Sequence, residues 1–298
     1  MNIEITKQAL AGAHKKYLRP GAITALKKFQ DLQHKLVLPS GELSDEQIGL
    51  LEHEGVKAGP ISKDTGATII FDQESNQLKL TAGDEIICSG NSWDTLTRNY
   101  LYPVRSAERT RKTGETDIRV RVNLDGTGLS DIQTGIHFFD HMLDQIARHG
   151  LIDLEIKCDG DLQIDEHHTI EDTAIVLGQA IADAVETDRK AGIQRHGFVL
   201  AMDEARSIVS VDLSNRPLLK WDVSFNREYI GDFPTEMAEH FFYTLAMNVK
   251  ATLHVEASGK NEHHIIESVF KGFAKALRFA VTRNERIKNI LPTTKGII

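Results

Sequence analysis

The chain has 298 residues, 41% of them hydrophobic, enough for one large domain or two smaller ones with a proper core. A net charge of −8 and a pI near 5.9 argue against a general nucleic-acid binder. No run of about 18 uncharged apolar residues spans a bilayer, and no apolar stretch opens the chain as a secretory leader would, so no membrane partner is expected. Cys88 and Cys158 form no Cys-x-x-Cys motif, which fits a reducing compartment and a cytoplasmic location.

Residues 1–105 alternate helical and extended patterns. Ala22 to Phe29 and Asp45 to Glu54 have helical spacing, whereas Lys35-Leu36-Val37-Leu38 and Glu85-Ile86-Ile87-Cys88 read as strands ending in small residues. The alternation predicts a small α/β region. The chain divides near residue 105, where the charged stretch Arg105 to Lys112 reads as a linker or an exposed arm.

Beyond it, Ile118, Val120 and Val122 alternate with polar residues as a half-buried strand. Residues 135–149 have helical spacing, Ile152 to Cys158 alternate as a strand, and a helix runs from His167 to about Val185. The same order returns. Val209 to Leu213 and Leu219 to Phe225 read as strands, 235–249 as a helix, Ala251 to Val255 as a strand, and a last helix runs to about Val281. The predicted fold class is α+β. Duplicated β-β-α-β-α units with helices on one side of mixed sheets follow the small α/β region.

The duplication carries a motif. His167-His168-Thr169-Ile170-Glu171 returns as His263-His264-Ile265-Ile266-Glu267, each copy opening a helix. His141 stands 26 residues before the first copy and His240 stands 23 before the second. In a helix, residues three or four apart share a face, so one turn presents an imidazole and a carboxylate to one ion while the adjacent histidine points elsewhere. Six imidazoles and two carboxylates suit two ions with open positions; manganese, iron and zinc all fit such donors. A single His-His-x-x-Glu at a helix start is commonly a polar first turn, its glutamate favoured by the helix dipole. Two copies in equivalent places, each with an upstream histidine, favour metal. His137, His149, His196 and His254 belong to no repeat and read as structural or supporting residues.

Other features have two readings. Leu124-Asp125-Gly126-Thr127-Gly128 looks like a phosphate loop, but between strand signals a hairpin turn is the better reading. Arg195, Arg216 and Lys271, each taken alone, are solvated surface charges. Leu291-Pro292-Thr293-Thr294-Lys295-Gly296 is a frayed terminus or an anion-binding segment.

Residues 106–298 resemble imidazoleglycerol-phosphate dehydratase of histidine biosynthesis over that family's whole length. The resemblance is carried by Phe138-Phe139-Asp140-His141-Met142-Leu143-Asp144-Gln145, Asp165 to Asp172, Asp212-Leu213-Ser214-Asn215-Arg216-Pro217, Ser258 to Glu267, and Leu291 to Gly296. It implies a metal-dependent hydro-lyase that converts imidazoleglycerol phosphate to imidazoleacetol phosphate, with two manganese(II) ions per site and homo-oligomeric shells of 24 subunits whose sites lie between chains. It implies His141, His167, His168, Glu171, His240, His263, His264 and Glu267 as metal ligands. Gln145 and Glu115 would lie near the substrate, and Arg195, Arg216, Lys271, Thr293 and Lys295 around its phosphate. The family usually has serine where Thr293 stands; the hydroxyl is kept, so phosphate binding is expected to survive. The departing hydroxide leaves a carbon chain with no carbonyl to acidify it, so the imidazole ring must hold charge as a metal-stabilised imidazolate. Glu115, Glu171, Glu267 and His168 are the expected catalytic residues. A dinuclear metallohydrolase acting on a phosphorylated small molecule is the alternative, and a metal-storing shell a third class that has no use for a phosphate pocket.

Residues 1–105 have a weaker resemblance to haloacid-dehalogenase phosphatases, a fold that some bacteria fuse ahead of this dehydratase as a histidinol-phosphatase domain. Arg19 to Leu26, Leu36 to Ser40 and Ser89 to Asp94 echo its segments. The Asp-x-Asp nucleophile is missing before residue 20, and Asn91 stands where an acidic metal ligand belongs. The expectation is a degenerate region without phosphatase activity.

Overall fold

The computed structural model describes residues 1–12, 16–59, 66–186, 193–284, 286–287 and 294. The chain forms two compact units, Met1–Pro103 and Val104–Ile298.

The first unit runs β1 (Asn2–Ile5), α1 (Lys7–Leu10), α2 (Ala22–Asp31), β2 (Lys35–Val37), α3 (Asp45–His53), β3 (Ala67–Asp72), β4 (Gln77–Ala82), β5 (Glu85–Gly90) and α4 (Trp93–Leu101). Its sheet has the order β2-β1-β3-β4-β5, with β1 parallel to β2 and β3, and β3, β4 and β5 antiparallel. Ile3, Ile5, Leu26, Phe29, Ile69, Leu80 and Trp93 fill its core. The Trp93 indole donates to the Ala9 carbonyl at 3.0 Å, so the largest buried ring leaves no orphan N–H. Ser44 and Gln47 form a reciprocal capping box at the start of α3.

The second unit has two halves. The first is β6 (Ser106–Lys112), β7 (Thr116–Asn123), β8 (Ser130–Gln133), α5 (His137–Gly150), β9 (Asp153–Gly160) and α6 (His167–Glu186). The second is β10 (His196–Met202), β11 (Ala205–Asp212), β12 (Leu218–Asp222), the hairpin β13 (Tyr229–Ile230) and β14 (Phe233–Pro234), α7 (Glu236–Val249), β15 (Thr252–Ser258) and α8 (Glu262–Val281). The sheet orders correspond, β6-β7-β9-β8 and β10-β11-β15-β12. In each, the first three strands are antiparallel and the last pair is parallel. The α+β class and the duplication expected from the sequence hold, with one more strand in each sheet and the added hairpin β13–β14 in the second half.

The helices lie between the sheets. Ile118, Val120 and Val122 of β7 and Val209 and Val211 of β11 point inward, while Arg119 and Arg121 face outward and pair with Glu108 and Glu155. All four helices and both inner sheet faces share one core. No described helix is long and apolar enough to cross a membrane.

Two expectations are corrected. The stretch from Arg105 to Lys112 is no linker. Ser106–Lys112 is edge strand β6, and Arg105 is buried, donating to the Val281 carbonyl at 2.6 Å and pairing with Asp125 at 2.7 Å. Charge along an edge strand hides it from a periodicity search while guarding its unpaired side. The segment Leu124 to Gly128 is no hairpin either. It leads from β7 to β8, which do not pair. The Asp153 carboxylate accepts the amides of Thr127, Gly128 and Leu129 at 2.8, 3.1 and 3.1 Å, so these donors are already engaged and none is left for a phosphate.

Candidate metal centre

The two motif helices start in the same way. The His167 amide donates to Asp165 Oδ1 at 2.9 Å, and the His263 amide donates to Asn261 Oδ1 at 3.0 Å. Each cap fixes the first turn, and the glutamate one turn later sits where the helix dipole favours a carboxylate. The residue after each glutamate is an anchor. Asp172 accepts from Thr116 at 2.6 Å and from Arg111 at 3.0 Å, while the Ser268 carbonyl accepts from Ser207 at 2.7 Å.

The upstream histidines occupy the fifth residue of α5 and of α7. Helix α5 packs against α8, and α6 against α7. Each upstream helix therefore meets the motif helix of the other half. His141 joins His263 and Glu267, and His240 joins His167 and Glu171. The donor atoms of each triad lie within 4.8 Å of one another. Glu267 stands 3.1 Å from His263 Nε2 and 3.8 Å from His141 Nε2. Glu171 stands 3.5 Å from His167 Nε2 and 3.2 Å from His240 Nε2.

Two local devices make this crossing possible. Asp232, in the turn between β13 and β14, accepts the His137 and Phe138 amides at 2.6 and 2.9 Å, so the second half caps the helix that carries His141. Gly178 of α6 lies so close to α7 that a Cβ there would come within 2.6 Å of Asn248 Cβ. Only glycine permits this approach, which draws His240 onto the first motif.

The donor set suits a divalent ion. His240 Nε2 is buried with no hydrogen-bond partner. Its 3.2 Å approach to Glu171 lacks hydrogen-bond geometry, so the lone pair and the carboxylate converge on a shared point. A buried unpaired acceptor is costly unless something fills that point. Two imidazoles and a carboxylate, without thiolate, are an N/O set for manganese, iron or zinc. Burial pushes the Glu267 carboxyl up, but Lys271 at 2.8 Å, with His141 and His263 beyond it, holds it net below the usual range.

The second histidine of each motif turns away from its triad. His168 Nδ1 meets both oxygens of Asp161 at 3.2 Å, and its Nε2 stands 3.6 Å from Glu115. His264 Nδ1 meets Glu204 at 2.8 Å, and its Nε2 stands 3.7 Å from Asp203. The bond to Asp161 raises the His168 pKa and the bond to Glu204 raises that of His264, while Glu204 itself is held down to about 2, first by His264. Asp161, Asp203 and Glu204 were not expected from the sequence. Their only signal is the position of Asp203-Glu204 in the β10–β11 turn, the counterpart of Glu115 in the β6–β7 turn.

The other expected residues are scattered within one chain. The Gln145 amide donates to the His141 carbonyl at 3.0 Å, one turn beneath the triad. Arg195 pairs with Asp212 at 2.7 Å, and Arg216 reaches the same carboxylate at 3.6 Å. Lys271 lies at the other end of β10, 3.8 Å from Met202 Sδ. His196 to Met202 is six residue steps, roughly 20 Å of strand. Thr293 and Lys295 lie outside the described residues. A cavity of about 490 Å³ on the outer face of the first sheet, beside Glu108, Arg121 and Glu155, is lined by none of the triad residues.

Fold and donors together define a duplicated α+β protein whose halves exchange histidines to build two metal-type triads. Comparison with known proteins names the class. A family model for imidazoleglycerol-phosphate dehydratase matches residues 134–277. The chain is 52% identical over 197 residues to the imidazoleglycerol-phosphate dehydratase of Cereibacter sphaeroides, 65% of this chain and 100% of that protein. It is 44% identical over 268 residues to the histidine biosynthesis bifunctional protein HisB of Spirosoma linguale, 90% of this chain and 69% of that protein. The counterpart of that protein in Bacteroides fragilis is 46% identical over 80% of this chain, which spans 63% of its length. Two crystal structures of the dehydratase share the fold. The one from Staphylococcus aureus has a TM-score of 0.55 at 33% identity, covering 60% of this chain and 99% of that chain. The one from Pyrococcus furiosus, in complex with (S)-C348, has a TM-score of 0.55 at 34% identity, covering 64% and 100%. The chain belongs to the imidazoleglycerol-phosphate dehydratase family.

Proposed function

We propose that the second unit removes water from imidazoleglycerol phosphate to give imidazoleacetol phosphate, in cytoplasmic histidine biosynthesis, and that it needs two divalent ions, manganese, at each site. The observation that carries this reading is the pair of crossed triads, each of two imidazoles and one carboxylate within 4.8 Å. Bound there, the ions would supply Lewis acidity to the substrate's imidazole ring as hydroxide leaves. The remaining work falls to the chain. His141, His263 and Glu267 hold one ion, and His167, Glu171 and His240 the other. His168 and His264, with Nε2 turned outward, complete triads on neighbouring copies. Glu115 is half-exposed and lies beside His168, so it is placed to carry a proton while Glu171 and Glu267 are engaged as ligands. Arg195, Arg216, Lys271, Thr293 and Lys295 bind the phosphate, and Gln145 steadies the turn bearing His141.

The scatter within one chain supports an oligomer. Arg195 and Lys271 stand at opposite ends of β10, too far apart to grip one phosphate, which supports their supply by different copies. A shell of 24 subunits, as the family resemblance implies, provides such junctions. The test is turnover of imidazoleglycerol phosphate by chelator-stripped and manganese-reloaded protein, with His168→Ala alongside. Ketone appearing only after reloading supports the proposal; full activity in the stripped sample, or release of free phosphate, overturns it.

We further propose that the first unit has no phosphatase activity. After β1 the chain continues Thr6-Lys7-Gln8, and Thr6 spends its hydroxyl on capping α1 and on the Ile69 carbonyl at 3.2 Å. No carboxylate is available there to act as a nucleophile. Hydrolysis of histidinol phosphate that is lost in Ser40→Ala would refute this.

A further inference from the structure

The bond from each outward-turned histidine to a carboxylate is built twice, from places that do not correspond in the duplication. In the first half the carboxylate is Asp161, the residue after β9. The corresponding residue after β15 is Gly259. A Cβ there would come within 2.8 Å of Ala205 Cβ and 2.9 Å of Ile265 Cγ1, so no acid fits. The second half reaches the same end by another route. Glu204 comes from the β10–β11 turn and meets His264 Nδ1 at 2.8 Å. It is held rigidly, because its other oxygen accepts the Asn261 and Lys260 amides at 2.8 and 3.2 Å. Those amides belong to the segment that starts α8, so carboxylate and ring share one frame. Asp161 likewise has only 17% of its side chain exposed. An accidental surface pair would not recur at the same nitrogen of the corresponding ring from a different loop.

We propose that Asp161 and Glu204 are positioning residues that hold His168 and His264 with Nδ1–H bonded inward and the Nε2 lone pair presented outward to a metal ion; this rests on the metal reading above. A carboxylate on Nδ1 fixes the tautomer and stops ring rotation, so donor direction is set before the ion arrives. It also raises the basicity of the free nitrogen. The arrangement gives two ligands that cannot collapse onto the triad of their own helix and so remain available to a second copy of this chain.

Three measurements on the full chain test this. In calorimetric titration of metal-free protein with manganese(II), Asp161→Asn and Glu204→Gln should each weaken binding about 10- to 100-fold. The melting temperature of the metal-free form should stay unchanged. In 15N spectra of histidine-labelled metal-free protein, His168 and His264 should give Nδ1–H tautomer signals that become mixed in the corresponding variant. Asp161→Glu, which keeps the acceptor, should recover most of the affinity. The two variants act on separate rings, so misfolding of one leaves the other decisive. If His168→Ala and His264→Ala lose manganese while Asp161→Asn and Glu204→Gln bind like the parent with unchanged 15N signals, the positioning role is overturned and the metal reading stands. If His168→Ala and His264→Ala bind manganese like the parent, the metal reading itself fails and this role with it.

Discussion

The two halves of the second unit share an element order, a sheet order and a motif, yet they surround their glutamates differently. Glu267 is 8% exposed and has Lys271 one turn on at 2.8 Å. Glu171 is 37% exposed, and the residue four further on is Ile175. The helix carrying His141 is capped from the other half by Asp232, whereas the Thr235 hydroxyl at the start of α7 donates within its own half, to the Arg227 carbonyl at 2.6 Å. Duplication reproduces the candidate ligands of each motif, because their spacing is local to one helix. The surroundings depend on which loops reach the site, and loops diverge freely.

The largest expected effect concerns which triad holds which of the two proposed ions. His141→Ala and Glu267→Gln should act on one ion and Glu171→Gln on the other. Metal analysis should therefore find one ion lost in His141→Ala and in its double variant with Glu267→Gln, but both lost when His141→Ala is combined with Glu171→Gln. Turnover should fall below detection in all three. Loss of both ions in the His141→Ala, Glu267→Gln double variant would return each histidine to its own half.

Next in size is the proposed proton carrier, Glu115. Glu115→Gln should lower kcat by about 10²- to 10⁴-fold, the usual loss for a general acid or base, with manganese affinity unchanged. An equal effect on metal binding would make it a ligand instead.

A third variant sharpens the helix pairing. Gly178→Val forces α6 away from α7 and should destabilise the fold by about 1–3 kcal/mol through overpacking. In denaturant titration the loss should come with weakened binding at the His240 triad alone.

The smallest effect concerns the cap that joins the halves. Asp232→Ala should cost about 0.5–2 kcal/mol, as other N-cap removals do. Burial pushes the Asp232 carboxyl up, but the Phe138 and His137 amides and the His137 ring outweigh it and hold its pKa below the usual range. A depressed carboxylate contributes stability above its unfolded value and loses it as pH falls through the lower folded value. The parent should therefore lose its advantage over Asp232→Ala only in acid, below the ordinary carboxylate range. A gap between the two that persists unchanged at the acid end would mean that the cap does not act through its charge.

Much of this was legible because period and function coincide. Helices α5 to α8 were visible from apolar spacing, and the i, i+4 pairs His167–Glu171 and His263–Glu267 follow from 3.6 residues per turn. Edge strand β6 was not, since Ser106 to Lys112 is almost wholly exposed and shows no alternation. Strands β8 and β10 escaped for related reasons, one too short to show a period and the other an edge strand with Val199 63% exposed. In the first unit α2, β2, α3 and β5 could be read, while β1, β3, β4 and α4 could not be placed without knowing their neighbours. Asp161 left no trace and Glu204 only its place in the β10–β11 turn, because a side-chain hydrogen bond from a loop has no sequence period.

Residue spacing alone was enough for the inventory: a duplicated α+β unit, eight candidate ligands, and a pairing of histidine with glutamate inside each motif helix. Those follow from backbone geometry within a single turn. It took the folded chain to show that His141 lies with the second motif and His240 with the first, and that His168 and His264 face away. Those outcomes depend on which apolar helix faces bury one another between the two sheets, a choice made by packing between helices far apart in the chain, about which no local spacing carries information.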